Sequence, residues 1–116
     1  MTIRRLKTYT GSQGYVYQYY FVGKRPAAAA NATEYIFDVT SDRKLTYSVT
    51  VTLAHETVAA WAQAHDRTLS ESEQYAAVKL RLFRAFDEVE DMQSNGRRLE
   101  IDLSALEGSL ASLGVE

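Results

Sequence analysis

The stretch HETVAAWAQAH, residues 55–65, contains both histidines of the chain, with Glu56 beside the first. Paired histidines on a helix bind a metal when four residues separate them, because one turn then aims both rings at one ion. His55 and His65 are ten apart, almost three turns, so they are not expected to share a metal. His65 would instead suit the negative end of a helix dipole when protonated. Serine nucleophiles have no G-x-S-x-G elbow here, and the absence of cysteine removes thiolate chemistry. GSQG, residues 11–14, has the glycines of a phosphate loop but lacks the lysine and a following helix, so it reads as a turn. Asn31-Ala32-Thr33 matches a glycosylation acceptor, which matters only in a secreted chain. No catalytic residue, metal or cofactor is expected, and the chain is read as non-enzymatic.

Binding chemistry has more to draw on. GYVYQYYFVG, residues 14–23, places Tyr15, Tyr17, Tyr19, Tyr20 and Phe21 within seven positions. On a sheet such rings can stack bases of single-stranded nucleic acid, each worth ~1–3 kcal/mol. A hairpin closed at GSQG would bring Arg4 and Arg5 near Lys24 and Arg25, making a basic corner beside Tyr20. The opposing interpretation puts Tyr15, Tyr17, Tyr19 and Phe21 on the buried side of a strand, with only Tyr20 outside. The net charge of -2 and the lack of a ribonucleoprotein-type aromatic motif favour the core.

At 116 residues the chain has the length of one domain, 1–116, able to hold a core without staples. Its apolar fraction of 46% and charged fraction of 24% argue against disorder. MTIRRLKTYT lacks the apolar run of a signal peptide, and no stretch is long and apolar enough to span a membrane. With no cysteine, a cytoplasmic location is the expectation. Charge divides unevenly: residues 1–50 sum to +4 and residues 51–116 to -6. Two layers of one fold, or a basic-to-acidic subunit contact, would explain that split.

The elements follow from periodicity. LTYSVTVTL alternates Leu45, Tyr47, Val49, Val51 and Leu53 against hydroxyls, and TEYIFDVTS alternates Tyr35, Phe37 and Val39. With SDRK between them they form a hairpin. GYVYQYYFVG and the weaker TIRRLKTY precede it as strands, and KRPAAAANA breaks the run as a loop or a single helical turn. A helix is expected over about 54–66 along Ala54, Val58, Trp61, Ala62 and His65. A second starts at a capping box of Ser70 and Glu73 and runs to about Gln93, ended by Asn95-Gly96 in the left-handed manner. Its apolar surface is broad enough to touch two neighbours. RRLEIDL is a fifth strand at an edge. SALEGSLASL repeats the capping relation at Ser104 and Glu107. The fold class is α+β: a four- to five-stranded antiparallel meander sheet packed on one face by two helices, in the order β-β-β-β-α-α-β-α.

Two surfaces remain as candidate interfaces. Asp87, Glu88, Glu90 and Asp91 crowd the end of the long helix, where the dipole is already negative. Arg84, with Arg97 and Arg98 beyond the cap, would relieve them locally; otherwise they face another subunit. Leu106, Leu110 and Leu113 stripe the C-terminal helix and would bury against a second chain unless that helix folds back. The expected function is a protein-interaction module acting as a homodimer or on a partner protein. A single-stranded nucleic-acid binder is the alternative, and a small-ligand pocket between sheet and helices is a third class.

Overall fold

In the computed structural model, which describes residues 6–27, 31–42 and 44–115, the alternating segments of the first half join one sheet. Strands β1 (Lys7–Thr10), β2 (Val16–Ala27), β3 (Ala32–Thr40) and β4 (Tyr47–Ala54) pair antiparallel in chain order. Helices α1 (His55–His65), α2 (Glu71–Glu88) and the short α3 (Met92–Asn95) then cross back. Strand β5 (Arg98–Glu100) pairs with β4 in parallel at the edge, and α4 (Leu103–Ser112) closes the chain. A parallel pair requires such a crossover. The α+β class and the element order are those expected, with β5 the single parallel member.

The β1–β2 turn is held by Gly11 N donating to Tyr15 O at 2.8 Å and Gly14 N donating to Gly11 O at 3.0 Å. Gly14 has φ +90, which favours glycine. Tyr15 therefore lies in the loop and is exposed, not on the buried side. Leu45 is likewise exposed ahead of β4, which starts only at Tyr47. β2 extends through Lys24, Arg25 and Pro26 to Ala27, where a loop or helical turn was expected. Proline is tolerated there because β1 pairs with β2 only over Val16–Tyr19, leaving that stretch as an edge among the described residues. Residues 28–30 of the alanine run lie outside the described residues.

Tyr17, Tyr19, Tyr35, Phe37, Val39, Tyr47, Val49 and Val51 form the buried side of the sheet. Rings of α2 lie directly on it. Tyr17 stacks on Phe86 with centroids 4.2 Å apart and planes 8° apart, and Tyr9 stacks on Phe83 at 4.5 Å and 3°. Tyr75 meets Phe21 at 4.9 Å. The other side of α2 packs on α4, so its broad apolar surface does serve two neighbours. Leu106 and Leu110 are fully buried where α4 lies against α1 and α2, and Leu113 is exposed. The leucine stripe is thus largely this chain's own core and not a free interface.

Helix ends depart from expectation in instructive ways. Ser70 and Glu73 form the capping box: Ser70 Oγ accepts from Glu73 N at 3.2 Å and Glu73 Oε1 accepts from Ser70 N at 2.9 Å. Arg67 Nη2 donates to Glu73 Oε2 at 2.6 Å, and that guanidinium, with the Ser70 amide, holds the carboxyl down at about 2. α2 stops at Glu88, since Asp91 caps a new helix by accepting from Ser94 N at 3.2 Å. Gly96 is not left-handed (φ -120); a Cβ there would strike the Met92 side chain. Asp102, not Ser104, caps α4 by accepting from Ala105 N at 2.7 Å. Glu107 is then free of capping and meets His65 instead.

Two measurements check the aromatic layer. Phe86→Ala should lower unfolding free energy in urea by about 3–5 kcal/mol, while Leu113→Ala should stay within about 0.5 kcal/mol. Burial pushes Tyr17, Tyr19, Tyr35 and Tyr75 above the ordinary phenol value and Tyr47 up to about 12. The unfolded chain ionises these phenols at lower pH, so their contribution to stability is full below the ordinary value and is lost as pH rises towards about 12. Phenolate absorbance of the native protein should therefore rise late and shift to lower pH in denaturant. Identical titrations in both conditions would contradict this packing.

Candidate functional site

A single irregularity in β2 decides where the basic residues go. Phe21 pairs with Phe37, but Gly23 pairs with Ile36, so Val22 is an extra residue, a β-bulge. Alternation shifts by one beyond it. Lys24 comes to lie opposite Tyr35 on the helix side, and Arg25 opposite Glu34 on the other. Lys24 Nζ stands 3.2 Å from Glu71 Oε1 and 6.0 Å from the Tyr35 ring centroid. Arg25 Nε donates to Glu34 Oε1 at 2.7 Å, and Tyr20 OH donates to Asp38 Oδ2 at 2.7 Å. The expected corner of Lys24, Arg25 and Tyr20 is thus split between two faces, each member bound to an acid. Arg4 and Arg5 lie outside the described residues. The rings of Tyr17 and Tyr19 are buried, so they present no stacking platform.

Among the described residues no element covers the side of the sheet away from α1 and α2. Val16, Gln18, Tyr20, Ile36, Asp38, Thr50 and Thr52 are half-buried or exposed there, and Val16 and the bulged Val22 keep 45% and 37% of their surface. At its β5 end, Ser48, Thr50, Arg97 and Arg98 line a depression of about 550 Å³ with Ser94 and Asn95. Arg97 Nε donates to Ser48 O at 3.1 Å, and among the described residues neither arginine pairs with a carboxylate. The Arg97-Arg98 pair was visible in the sequence, but as relief for the acidic helix end; only the position of β5 puts it on the sheet face.

That acidic end is used internally. Asp87 accepts Tyr9 OH at 2.9 and 3.0 Å and Ser12 N at 2.9 Å, while Ser12 Oγ donates to Asp87 O at 3.1 Å, pinning the β1–β2 turn to α2. Arg84 Nε lies 3.2 Å from Glu88 Oε1, one turn away. Asp91 caps α3. Glu90 is exposed and makes no ion pair among the described residues. Of the expected acidic knob, Asp87 is tied to the β1–β2 turn, whereas Glu88, Glu90 and Asp91 stay exposed at the surface.

The histidines also serve separate local ends. His55 Nδ1 lies 3.1 Å from Asn31 Oδ1 and its Nε2 3.1 Å from Thr33 Oγ1, which sets an Nδ1–H tautomer in the neutral ring. His65 Nε2 lies 2.7 Å from Glu107 Oε2, and its ring stacks on Trp61 at 4.1 Å. Among the described residues no group of three or more His, Asp and Glu could hold a metal ion, and no helix is long and apolar enough to cross a membrane.

No protein-family model, curated protein or solved structure matches this chain.

Replacing Asp87 with alanine should remove its bonds to the Tyr9 hydroxyl and the Ser12 amide and lower stability by about 0.5–1.5 kcal/mol. Glu90→Ala should stay within about 0.5 kcal/mol. Urea titrations of the two variants check the difference.

Proposed function

We propose that the protein acts through contacts, not catalysis, and that it pairs with a second copy of itself through the open side of the sheet. The observation that carries this is the one-sided roof. Helices bury one side of a five-stranded sheet, while the other presents Val16, Tyr20, Val22 and Ile36 among hydroxyls. Strands of 4, 12, 9, 8 and 3 residues, at ~3.3 Å per residue and ~4.8 Å spacing, give a footprint of roughly 570 Å². Stable interfaces bury about 800 Å² on each partner, so the whole face is of the right order. Its charges also permit self-apposition. Arg25 and Arg98 offset Glu34, Asp38 and Glu100, so two copies would meet with little net repulsion. Sheets packed face to face keep their strands within about 30° of each other, a geometry open to a two-fold dimer. The cysteine-free composition suits the cytoplasm. The nucleic-acid alternative has no comparable support, because the rings of Tyr17 and Tyr19 are core and Lys24 and Arg25 lie on opposite faces of the sheet.

Sedimentation at micromolar concentration should give twice the monomer mass of 13.1 kDa. Ile36→Lys, on the open side, should return the protein to monomer without changing its thermal unfolding when dilute. A wild-type monomer at these concentrations, or a dimer indifferent to Ile36→Lys, would overturn the proposal.

A further inference from the structure

Opposite the open face, where the outer ends of β2 and β3 meet α1 and the start of α2, lies a cleft of about 540 Å³. Its floor is apolar. Val58, Ala59 and Ala62 follow one another along one side of α1, and the Tyr35 ring adds a flat wall. The size falls within the ~300–1,000 Å³ usual for small-molecule sites.

Two donors stand over this floor. Tyr35 keeps 2% of its surface and its ring borders the cleft. Among the described residues its hydroxyl donates to no acceptor, and unlike the hydroxyl of Tyr47 it is not sealed inside the protein, so it is available to a ligand. Burial, the largest influence, pushes its pKa up, so at neutral pH it remains a donor. The second donor is Lys24, which the bulge turned to this side and set above the Tyr35 ring. Its present counter-ion is Glu71, whose side chain keeps 86% of its surface. An ion pair that exposed is worth little and is easily exchanged. Glu71 Oε1, 3.2 Å from Lys24 Nζ, marks where another carboxylate oxygen can sit.

We propose that this cleft binds small monocarboxylates with an apolar body. The carboxylate takes the place of Glu71 on Lys24 and accepts from the Tyr35 hydroxyl, and the apolar body lies along Val58, Ala59 and Ala62. Gln74, at the α2 wall, offers an amide to any further polar group. The site faces away from the open side of the sheet and is independent of dimer formation.

Hexanoate and benzoate are suitable probes, with 1-hexanol and benzyl alcohol as their uncharged counterparts, followed through backbone amide shifts of the intact protein. Both acids should shift the amides of Val58, Ala59, Ala62 and Gln74 and bind more tightly than the alcohols. Lys24→Met should weaken the acids about tenfold and leave the alcohols unchanged, the loss expected for one charge-assisted contact. Glu71→Gln should tighten the acids severalfold, because a competing carboxylate is gone. That variant alters an exposed side chain, and its spectrum reports folding directly. Shifts elsewhere on the protein, equal binding of acids and alcohols, or weaker acid binding by Glu71→Gln would each overturn the proposal.

Discussion

The contact between the sheet's rings and those of α2 is the constraint from which the other features follow. Tyr17 on Phe86 and Tyr9 on Phe83 are near-parallel stacks, and Tyr19 and Phe21 meet the same helix from the neighbouring positions of β2. Rings of this size bury large apolar areas and add ~0.5–1.5 kcal/mol per well-placed pair. Once α2 is laid on the sheet, its other side must be covered. α4 does this with Leu106 and Leu110, which is why the C-terminal segment returns to its own chain. The cost of so many phenols is their hydroxyls. Asp87 satisfies Tyr9 and Asp38 satisfies Tyr20, and both are also acids that would otherwise crowd their surroundings.

Electrostatics in this fold are mostly local. The opposite charges of the two halves of the chain suggested attraction between layers, but the ion pairs among the described residues cross them only at Lys24 and Glu71. Elsewhere the layers even bring like charges together. Lys79, whose ammonium lies 5.8 Å from the Phe83 ring centroid, has its pKa lowered by burial first and by neighbouring Lys7 second. Composition by halves is thus a poor guide to contacts, because strand register and helix phase, not distance along the chain, choose the neighbours.

Strict alternation made β3 and β4 readable, since a period of two has no other common cause. The α2 start was readable because Ser70 and Glu73 satisfy each other's amides, a relation that depends on spacing alone. Its end was not. Asp91 competes as a cap for a new turn, and Gly96 lies against the Met92 side chain, a contact between residues that a linear pattern does not display. Tyr15 and Leu45 fitted the alternation but fall beyond the ends of their strands, where turn geometry governs. For the site, Tyr17 and Tyr19 were correctly assigned to the core and Tyr15 was not, while the basic corner was drawn on one face. Gly23, an isolated glycine inside a strand pattern, is the one sequence mark of the bulge, and it went unused.

That one inserted residue has consequences on both sides of the sheet. Were β2 regular, Lys24 would join the open face beside Glu34 and Asp38, and Arg25 would be driven under the helices. Arg25 would then lose the Glu34 carboxylate it meets on the open side. The bulge instead leaves Arg25 outside on Glu34 and sends inward the longer-stemmed amine, which can lay its methylenes along Tyr35 while its head reaches Glu71 at the rim. It also keeps the open face nearly balanced in charge. A regular strand would remove one arginine from that face and add one lysine to it, preserving the sum but emptying the cleft of its cation. The bulge therefore gives the two sides of one sheet different chemistry: a mixed polar and apolar surface on one, and on the other a cleft lined by Lys24 and Tyr35.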